Sequence, residues 1–184
     1  MSSITVQKQI LRKQILGLRR AFTGIPKAKA DRLIFHHITH HHLYQNAHTI
    51  CTYVSMHEEV DTHALIQEIL TKKEKVLIVP KTEGGVVYLY QINSYEDLEK
   101  GSFGILEPRK HCLRVDVSTV DLFIIAGLAF GRDGTRIGWG KGFYDRLLKN
   151  VTVPTIGVAY SFQVFDSVPA TAEDKRVDII ISDM

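Results

Sequence analysis

The stretch Leu122-Phe-Ile-Ile-Ala-Gly-Leu-Ala-Phe-Gly-Arg-Asp-Gly-Thr-Arg-Ile-Gly-Trp-Gly-Lys-Gly-Phe-Tyr-Asp-Arg146 decides how the chain is read. Its first five residues are apolar without interruption, the pattern of a strand covered on both faces, and such strands belong to parallel sheets layered between helices. Six of the chain's 13 glycines follow between Gly127 and Gly142. Glycine lets backbone adopt positive φ and approach a ligand closely, at an entropic cost that needs a reason. Arg132, Arg136, Lys141 and Arg146 add positive charge. Amides bared by Gly138, Gly140 and Gly142, with a helix expected to begin near Phe143, make an anion site for which phosphate is the natural guest.

The loop does not fit the common nucleotide fingerprints. Lys141 is followed by Gly142 where a Walker loop needs Ser or Thr, Thr135 stands where its first Gly belongs, and Phe143 replaces the last Gly of the dinucleotide pattern.

Outward from this stretch, further apolar strands are expected at Thr49 to Val54, Val76 to Val79, Val86 to Ile92, Thr155 to Ala159 and Asp178 to Ile181. Helices are expected from about Pro26 to Leu43, near Asp61 to Lys72, and at Phe143 to Lys149. This alternation predicts an α/β fold, a single domain over residues 1–184 with a largely parallel central sheet flanked by helices. Ligands of such sheets lie beyond the carboxyl ends of the strands, where the glycine-rich loop falls.

A net charge of +3 and a pI near 8.8 fall short of a dedicated nucleic-acid binder and suit a polyanionic small molecule equally well. Cys51 and Cys112 are far apart and form no Cys-x-x-Cys, so neither a disulfide scaffold nor a zinc site is indicated, and a reducing cytoplasm is expected. The apolar run from Leu122 to Phe130 is about half of what a membrane helix needs. No nucleic acid, no membrane and a monomer are the expectations.

Residues 1–30 hold seven Lys or Arg and no acid, a composition shared with mitochondrial presequences. Ile4, Leu11, Ile15, Leu18 and Phe22 form an apolar stripe at helical spacing, while Lys8 and Arg12 share one helical face. The five histidines His36, His37, His40, His41 and His42 invite a metal reading, but no carboxylate or Cys at ligand spacing adjoins them, and a polar helix end accounts for them. Tyr53-Val-Ser-Met-His-Glu-Glu-Val-Asp-Thr62 leads from a strand into a helix, with Asp61 or Thr62 as N-cap and Glu58 and Glu59 either placed to accept hydrogen bonds from a ligand or simply solvated loop acids. Gly101 to Pro108 reads as a tight turn before an extended segment.

Together these segments resemble the 5-formyltetrahydrofolate cyclo-ligase family, also called methenyltetrahydrofolate synthetases. The resemblance runs through Lys8-x-x-Leu-Arg12, the Ser55 to Thr62 segment, Val-Pro-Lys81, Gly-x-x-Gly-Ile-x-Glu-Pro108, Gly-Leu-Ala-Phe130, Arg136 to Asp145 and Lys-Arg-Val-Asp178. It implies that ATP phosphorylates the formyl oxygen of 5-formyltetrahydrofolate, that N10 closes on the activated carbon, and that phosphate leaves. It also implies an architecture like that of sugar-phosphate isomerases and CoA transferases.

Carried over by residue, the resemblance implies that Lys8, Arg12, Arg136, Ile137, Gly138, Trp139, Gly140, Lys141, Gly142, Phe143 and Tyr144 bind ATP. Lys141, Arg136 and Tyr144 take catalytic roles. Val54, Glu59, Trp139 and Phe143 contact the folate, and Asp145 and Asp178 hold Mg²⁺. Phosphate contacts from Lys8 and Arg12 argue against a cleaved presequence. Trp139 and Phe143 stand where relatives often carry Arg and Tyr, and Glu173, before Asp174, stands where they often carry His and is given no role. The rivals are a sugar-phosphate isomerase or acyl-CoA transferase, which would hydrolyse no nucleotide, and a non-catalytic folate- or nucleotide-binding protein.

Overall fold

The computed structural model describes residues 3–56, 58–101 and 104–184. In chain order it contains α1 (Ser3–Ala21), α2 (Gly24–His40), α3 (His42–Asn46), β1 (Thr49–Thr52), α4 (His63–Lys72), β2 (Val76–Glu83) and β3 (Val86–Ile92). Then come β4 (Leu98–Lys100), β5 (Leu106–Pro108), β6 (Leu113–Val115), β7 (Leu122–Ala126), β8 (Ala129–Gly131) and β9 (Arg136–Ile137). The chain closes with α5 (Phe143–Leu147), β10 (Thr155–Val158), β11 (Val164–Phe165) and β12 (Ile179–Ile181).

Seven strands form the main sheet in the order β12-β10-β7-β1-β2-β3-β6. The run from β12 to β2 is parallel, as the unbroken apolar strands predict. Strand β7 shows why: Leu122 and Ile124 enter one core with Ile34 of α2 and Ile66 of α4, while Phe123 and Ile125 enter the core on the opposite face. Both faces of the strand are dry, so no position can be polar. The departure is β3, which runs antiparallel to β2 because Gly84 and Gly85, at φ of 56° and 83°, close a two-residue hairpin.

Strand β1 lies between β2 and β7, so the chain crosses to opposite sides of it. Such a switch point opens a crevice at the carboxyl ends of the strands. Two loops leave it there, residues 53–62 after β1 and the glycine-rich segment after β7.

That glycine-rich segment is not one long loop. Strands β8 and β9 pair antiparallel, with Ala129 opposite Ile137, and β11 adds to β8 to make a small second sheet. Gly134, at φ of 84°, turns the β8–β9 hairpin, and Ile15 of α1 packs on it with Leu128, Ala129 and Ile137. Residues 127–128 and 132–135 are short connections, and the longest bare stretch is 138–142. The helix expected from Phe143 to Lys149 ends at Leu147 and continues as a 3-10 turn.

On α1 the expected apolar stripe is half right. Ile15 is buried, but Ile4 and Leu18 are 36% and 50% exposed, and the second buried residue is Arg19. The inward face is Lys8, Arg12, Ile15, Arg19 and Phe22, alternately four and three residues apart. Among the histidines, His37 reaches the Ser182 carbonyl at 2.9 Å and His41 accepts the Leu43 amide as the cap of α3, while the His36 and His40 rings lie 3.9 Å apart at a tilt of 39°. Thr62 holds the N-cap position of α4, and Asp61 accepts the His63 amide at 2.8 Å. From the expected turn at Gly101 to Pro108, Ser102 and Phe103 lie outside the described residues, as does His57 of the Tyr53 to Thr62 segment; β4 and β5 flank the former as an antiparallel pair. No helix among the described residues is long and apolar enough to cross a membrane.

Candidate active site

The crevice holds a cavity of about 430 Å³, walled on one side by Tyr53, Val54, Met56 and Glu59 and on the other by residues 136–145. Lys8 and Arg12 also line it, as do Lys81 of β2 and Glu107 of β5.

The acidic wall is rigid by construction. The Thr62 hydroxyl donates to the Tyr53 carbonyl at 2.7 Å and accepts the Ser55 amide. His63 contacts the Ser55 carbonyl through Nε2 and takes the Tyr95 hydroxyl at Nδ1. The Tyr160 hydroxyl shares its proton between Asp31 of α2 and the Glu59 carbonyl, both at 2.8 Å. Glu59 is 6% exposed; its Oε2 accepts the Met56 amide at 3.1 Å. Buried polar groups this well satisfied are costly to disturb.

The opposite wall is strapped down by cations. Arg12 donates through Nε to the Gly138 carbonyl at 2.9 Å, and its guanidinium lies 3.2 Å from where a Cβ on Gly140 would stand. Gly140 also has φ of 92°, so the position excludes any other residue without strain. Arg146 donates to the Lys141 and Gly85 carbonyls. Trp139, Gly140 and Lys141 are exposed. Because α5 is only five residues long, its dipole adds little, and anion binding here falls to the loop amides and cations.

The expected site residues separate into groups. Lys8, Arg12, Val54, Glu59 and every residue from Arg136 to Asp145 line the cavity. Ile137, at 1% exposure, offers only its backbone. Arg136 is a strut: its side chain is 3% exposed and its Nη2 pairs with Asp145 at 2.8 Å. Burial, with the Cys51 thiol and the Glu59 carboxylate adding to it, pushes the Tyr144 phenol far above its ordinary value. The shift favours the protonated phenol, which can donate a hydrogen bond.

Asp178 is not brought to this site, which corrects its expected pairing with Asp145. It precedes β12 at the amino end of the sheet, where its Oδ2 accepts the amide and hydroxyl of Thr155 at 2.7 and 2.8 Å. It borders a separate hollow with Leu43, Leu148 and Pro154. The aspartate that joins Asp145 in the cavity is Asp174. Lys8 pairs with it, and the amide of the next residue, Lys175, donates to Asp145 at 3.4 Å. Burial opposes ionisation of Asp174, but the bonds from Lys8 and Thr171 outweigh it and hold its pKa below the usual carboxylate value.

Sequence reasoning also missed Arg19. It is 2% exposed, donates through Nε to the Glu58 carbonyl at 2.6 Å, and lies 3.5 Å from Glu59 Oε1. The signal was present in the spacing of residues 8, 12, 15, 19 and 22, once cations count as inward-facing. Through Lys8, Arg12 and Arg19, helix α1 thus grips all three segments of the site.

The chain has relatives over almost its whole length. Residues 4–183 match the 5-formyltetrahydrofolate cyclo-ligase family. The 5-formyltetrahydrofolate cyclo-ligase of Mus musculus is 29% identical over 197 residues, spanning 98% of this chain and 97% of its own. That of Mycoplasma pneumoniae is 32% identical over 181 residues, spanning 97% and 99%. Among solved structures, the NMR structure of Aquifex aeolicus 5,10-methenyltetrahydrofolate synthetase matches with a TM-score of 0.87 at 38% identity, covering 96% of this chain and 89% of that one. With both the fold and nearly every residue accounted for in this way, the chain belongs to the 5-formyltetrahydrofolate cyclo-ligase family.

Proposed function

We propose that the protein is an ATP- and Mg²⁺-dependent ligase that closes 5-formyltetrahydrofolate to 5,10-methenyltetrahydrofolate, releasing ADP and phosphate. The observation that carries this reading is a single cavity with a buried, hydrogen-bond-accepting wall at Glu59 facing a glycine-rich wall lined by cations. A pterin edge rich in N–H groups suits the first, and a polyphosphate the second.

In this reading Glu59 accepts hydrogen bonds from the pterin, beside Val54, while Trp139 and Phe143 offer flat faces for stacking. Lys8, Arg12 and Lys141, with the amides of residues 138–142, bind the phosphates and counter charge that builds on the transferred group. The formyl oxygen takes the terminal phosphoryl group as its bond to ADP breaks, N10 bonds to the formyl carbon and gives up its proton to solvent, and the carbon–oxygen bond breaks as phosphate leaves. Ring closure is intramolecular and gains from holding both ends of the substrate. The Tyr144 phenol is a hydrogen-bond donor in this scheme, and Arg136 orients Asp145.

Asp145 and Asp174 would hold Mg²⁺, which supplies neutralisation of phosphate charge when bound. They fit that ion: each is a hard oxygen donor, and Asp145 Oδ2 and Asp174 Oδ1 have no partner among the described residues. A likeness in architecture to sugar-phosphate isomerases and acyl-CoA transferases is part of the same proposal and bears on layout, since fold does not set chemistry.

The test is to mix protein, 5-formyltetrahydrofolate and Mg²⁺ with and without ATP, following methenyl absorbance and phosphate release together. Product only with ATP, one phosphate per ring closed, is expected. Product without ATP, or none when both ligands bind, overturns the reading.

A further inference from the structure

Arg19 is a buried cation that the proposed chemistry does not use. It does not line the cavity, it is 2% exposed, and its Nη2 is a buried donor with no hydrogen-bond partner. A guanidinium is a poor choice for filling space, because an apolar side chain of similar volume would avoid both desolvation and the orphaned donor. Its surroundings indicate what the charge serves. Nε is anchored on the Glu58 carbonyl at 2.6 Å, which fixes the fork against the loop backbone. From there Nη2 faces Glu59 Oε1 at 3.5 Å, too far for a good hydrogen bond yet within reach of a small shift. The other oxygen of Glu59 is held by the Met56 amide. Above the guanidinium, 5.8 Å away, lies the ring of Trp139 from the glycine loop.

The rest of what faces Glu59 is neutral or acidic. Tyr53 and Tyr144 lie beside it, and Tyr160, backed by Asp31, bonds its carbonyl. Among the described residues, Arg19 is the one cation within 4.0 Å of the carboxylate.

From this geometry we propose that Arg19 is a positioning residue for the folate half of the reaction, holding Glu59 turned into the cavity and tying it to Trp139. The proposal rests on the reading of Glu59 as the acceptor of pterin N–H groups. Arg19 touches no reacting atom. Its orphaned Nη2 completes its bond to Oε1 when a bound ring draws Glu59 into place, so its contribution is to folate binding and not to phosphoryl transfer. Lys8 and Arg12, on the same helix but engaged with Asp174 and Gly138, serve the other substrate.

The experiment is steady-state kinetics on Arg19→Met, Arg19→Lys, Glu59→Gln and the Arg19→Met/Glu59→Gln double variant. Arg19→Met is expected to raise KM for 5-formyltetrahydrofolate on the order of 20-fold, the scale of a lost charge-assisted contact. Its kcat and its KM for ATP stay within about threefold, inside half a decade of affinity. Arg19→Lys restores part of the loss. In the double variant, Arg19→Met adds less than about threefold to the effect of Glu59→Gln, the sign of two residues acting as one unit. Because Trp139 is the only tryptophan, its emission should change in Arg19→Met and report folate binding without ATP.

Equal rises in both KM values, a fall in kcat alone, or independent multiplication of the two single effects would overturn the proposal. Should Arg19→Met fail to fold, Arg19→Lys still decides: an unchanged folate KM together with unchanged Trp139 emission overturns it. Glu59→Gln separates the two layers. If it leaves folate KM untouched in an enzyme that turns over, the Glu59 reading fails and takes this proposal with it. If it raises folate KM while Arg19→Met is silent, only the role of Arg19 is lost.

Discussion

The two ends of the parallel sheet use acidic side chains differently. At the carboxyl end, Glu59, Asp145 and Asp174 line a cavity, and each has a cation for a partner: Arg19, Arg136 and Lys8. At the amino end, Asp121 accepts the amides of His48 and Thr49 at 3.0 and 2.7 Å, and Asp178 accepts that of Thr155. Each of these two precedes one strand and staples the start of its neighbour. The two amino-end aspartates thus staple strands through backbone amides, whereas each of those three cavity carboxylates also carries a cation.

The largest test of that distinction is Asp145→Ala. It removes a proposed metal ligand, so turnover should fall by about 100-fold or more, the scale of several kcal/mol of lost charge stabilisation. It also strands Arg136, whose side chain is 3% exposed. An unpaired buried charge costs about 3 kcal/mol, and melting should drop by roughly 6–12 °C for a chain of this size. Kinetics and a thermal melt on one preparation check both parts; a variant that loses turnover but melts normally would show that Arg136 does not depend on Asp145.

A smaller effect is expected from Gly140→Ala. The new methyl would lie 3.2 Å from the Arg12 guanidinium carbon at φ of 92°. Strain of about 1–3 kcal/mol should appear as a rise on the order of 10-fold in KM for ATP. The folate KM should stay level, because the 53–62 loop is held by contacts of its own. Parallel rises would mean that the two walls are not separable.

The smallest effect concerns acid stability. Asp174 has a folded-state pKa depressed below its ordinary 3.8 by Lys8 and Thr171, against burial. The stability it contributes is complete above that ordinary value and is lost as pH falls through the depressed one. Lys8→Met brings the folded value back toward the ordinary one and should flatten the acid limb of a denaturant-midpoint series run from about pH 5 to about pH 2.5. An unchanged limb would show that Lys8 does not hold Asp174.

Much of this was legible in the chain. Unbroken apolar strands such as Leu122 to Ala126 fixed the parallel core, because a strand buried on both faces tolerates no polar position. The Gly84–Gly85 pair was a readable hairpin signal for the turned β3, although length and apolarity alone suggest nothing of its direction. The cavity loop 138–142 and its flanking cations were legible because glycines and cations are dense there, while Tyr144 and Asp145 entered through the resemblance. Asp174 was not legible, since its place is set by Lys8, 166 residues away, and the segment around it has no period. Asp178 drew the metal role instead through the resemblance, as the last residue of Lys-Arg-Val-Asp178. Arg19 escaped because an apolar stripe counts only apolar residues.

The most direct measurement compares Asp174→Asn with Asp178→Asn for Mg²⁺-dependent ring closure and for melting temperature. If the carboxyl end holds the chemistry, Asp174→Asn loses most of its turnover while its melting temperature changes little. Asp178→Asn then keeps turnover within about threefold, under 1 kcal/mol, but melts lower. The reverse, with Asp178→Asn inactive at a normal melting temperature and Asp174→Asn active, would contradict the account and return the metal to the other end of the sheet.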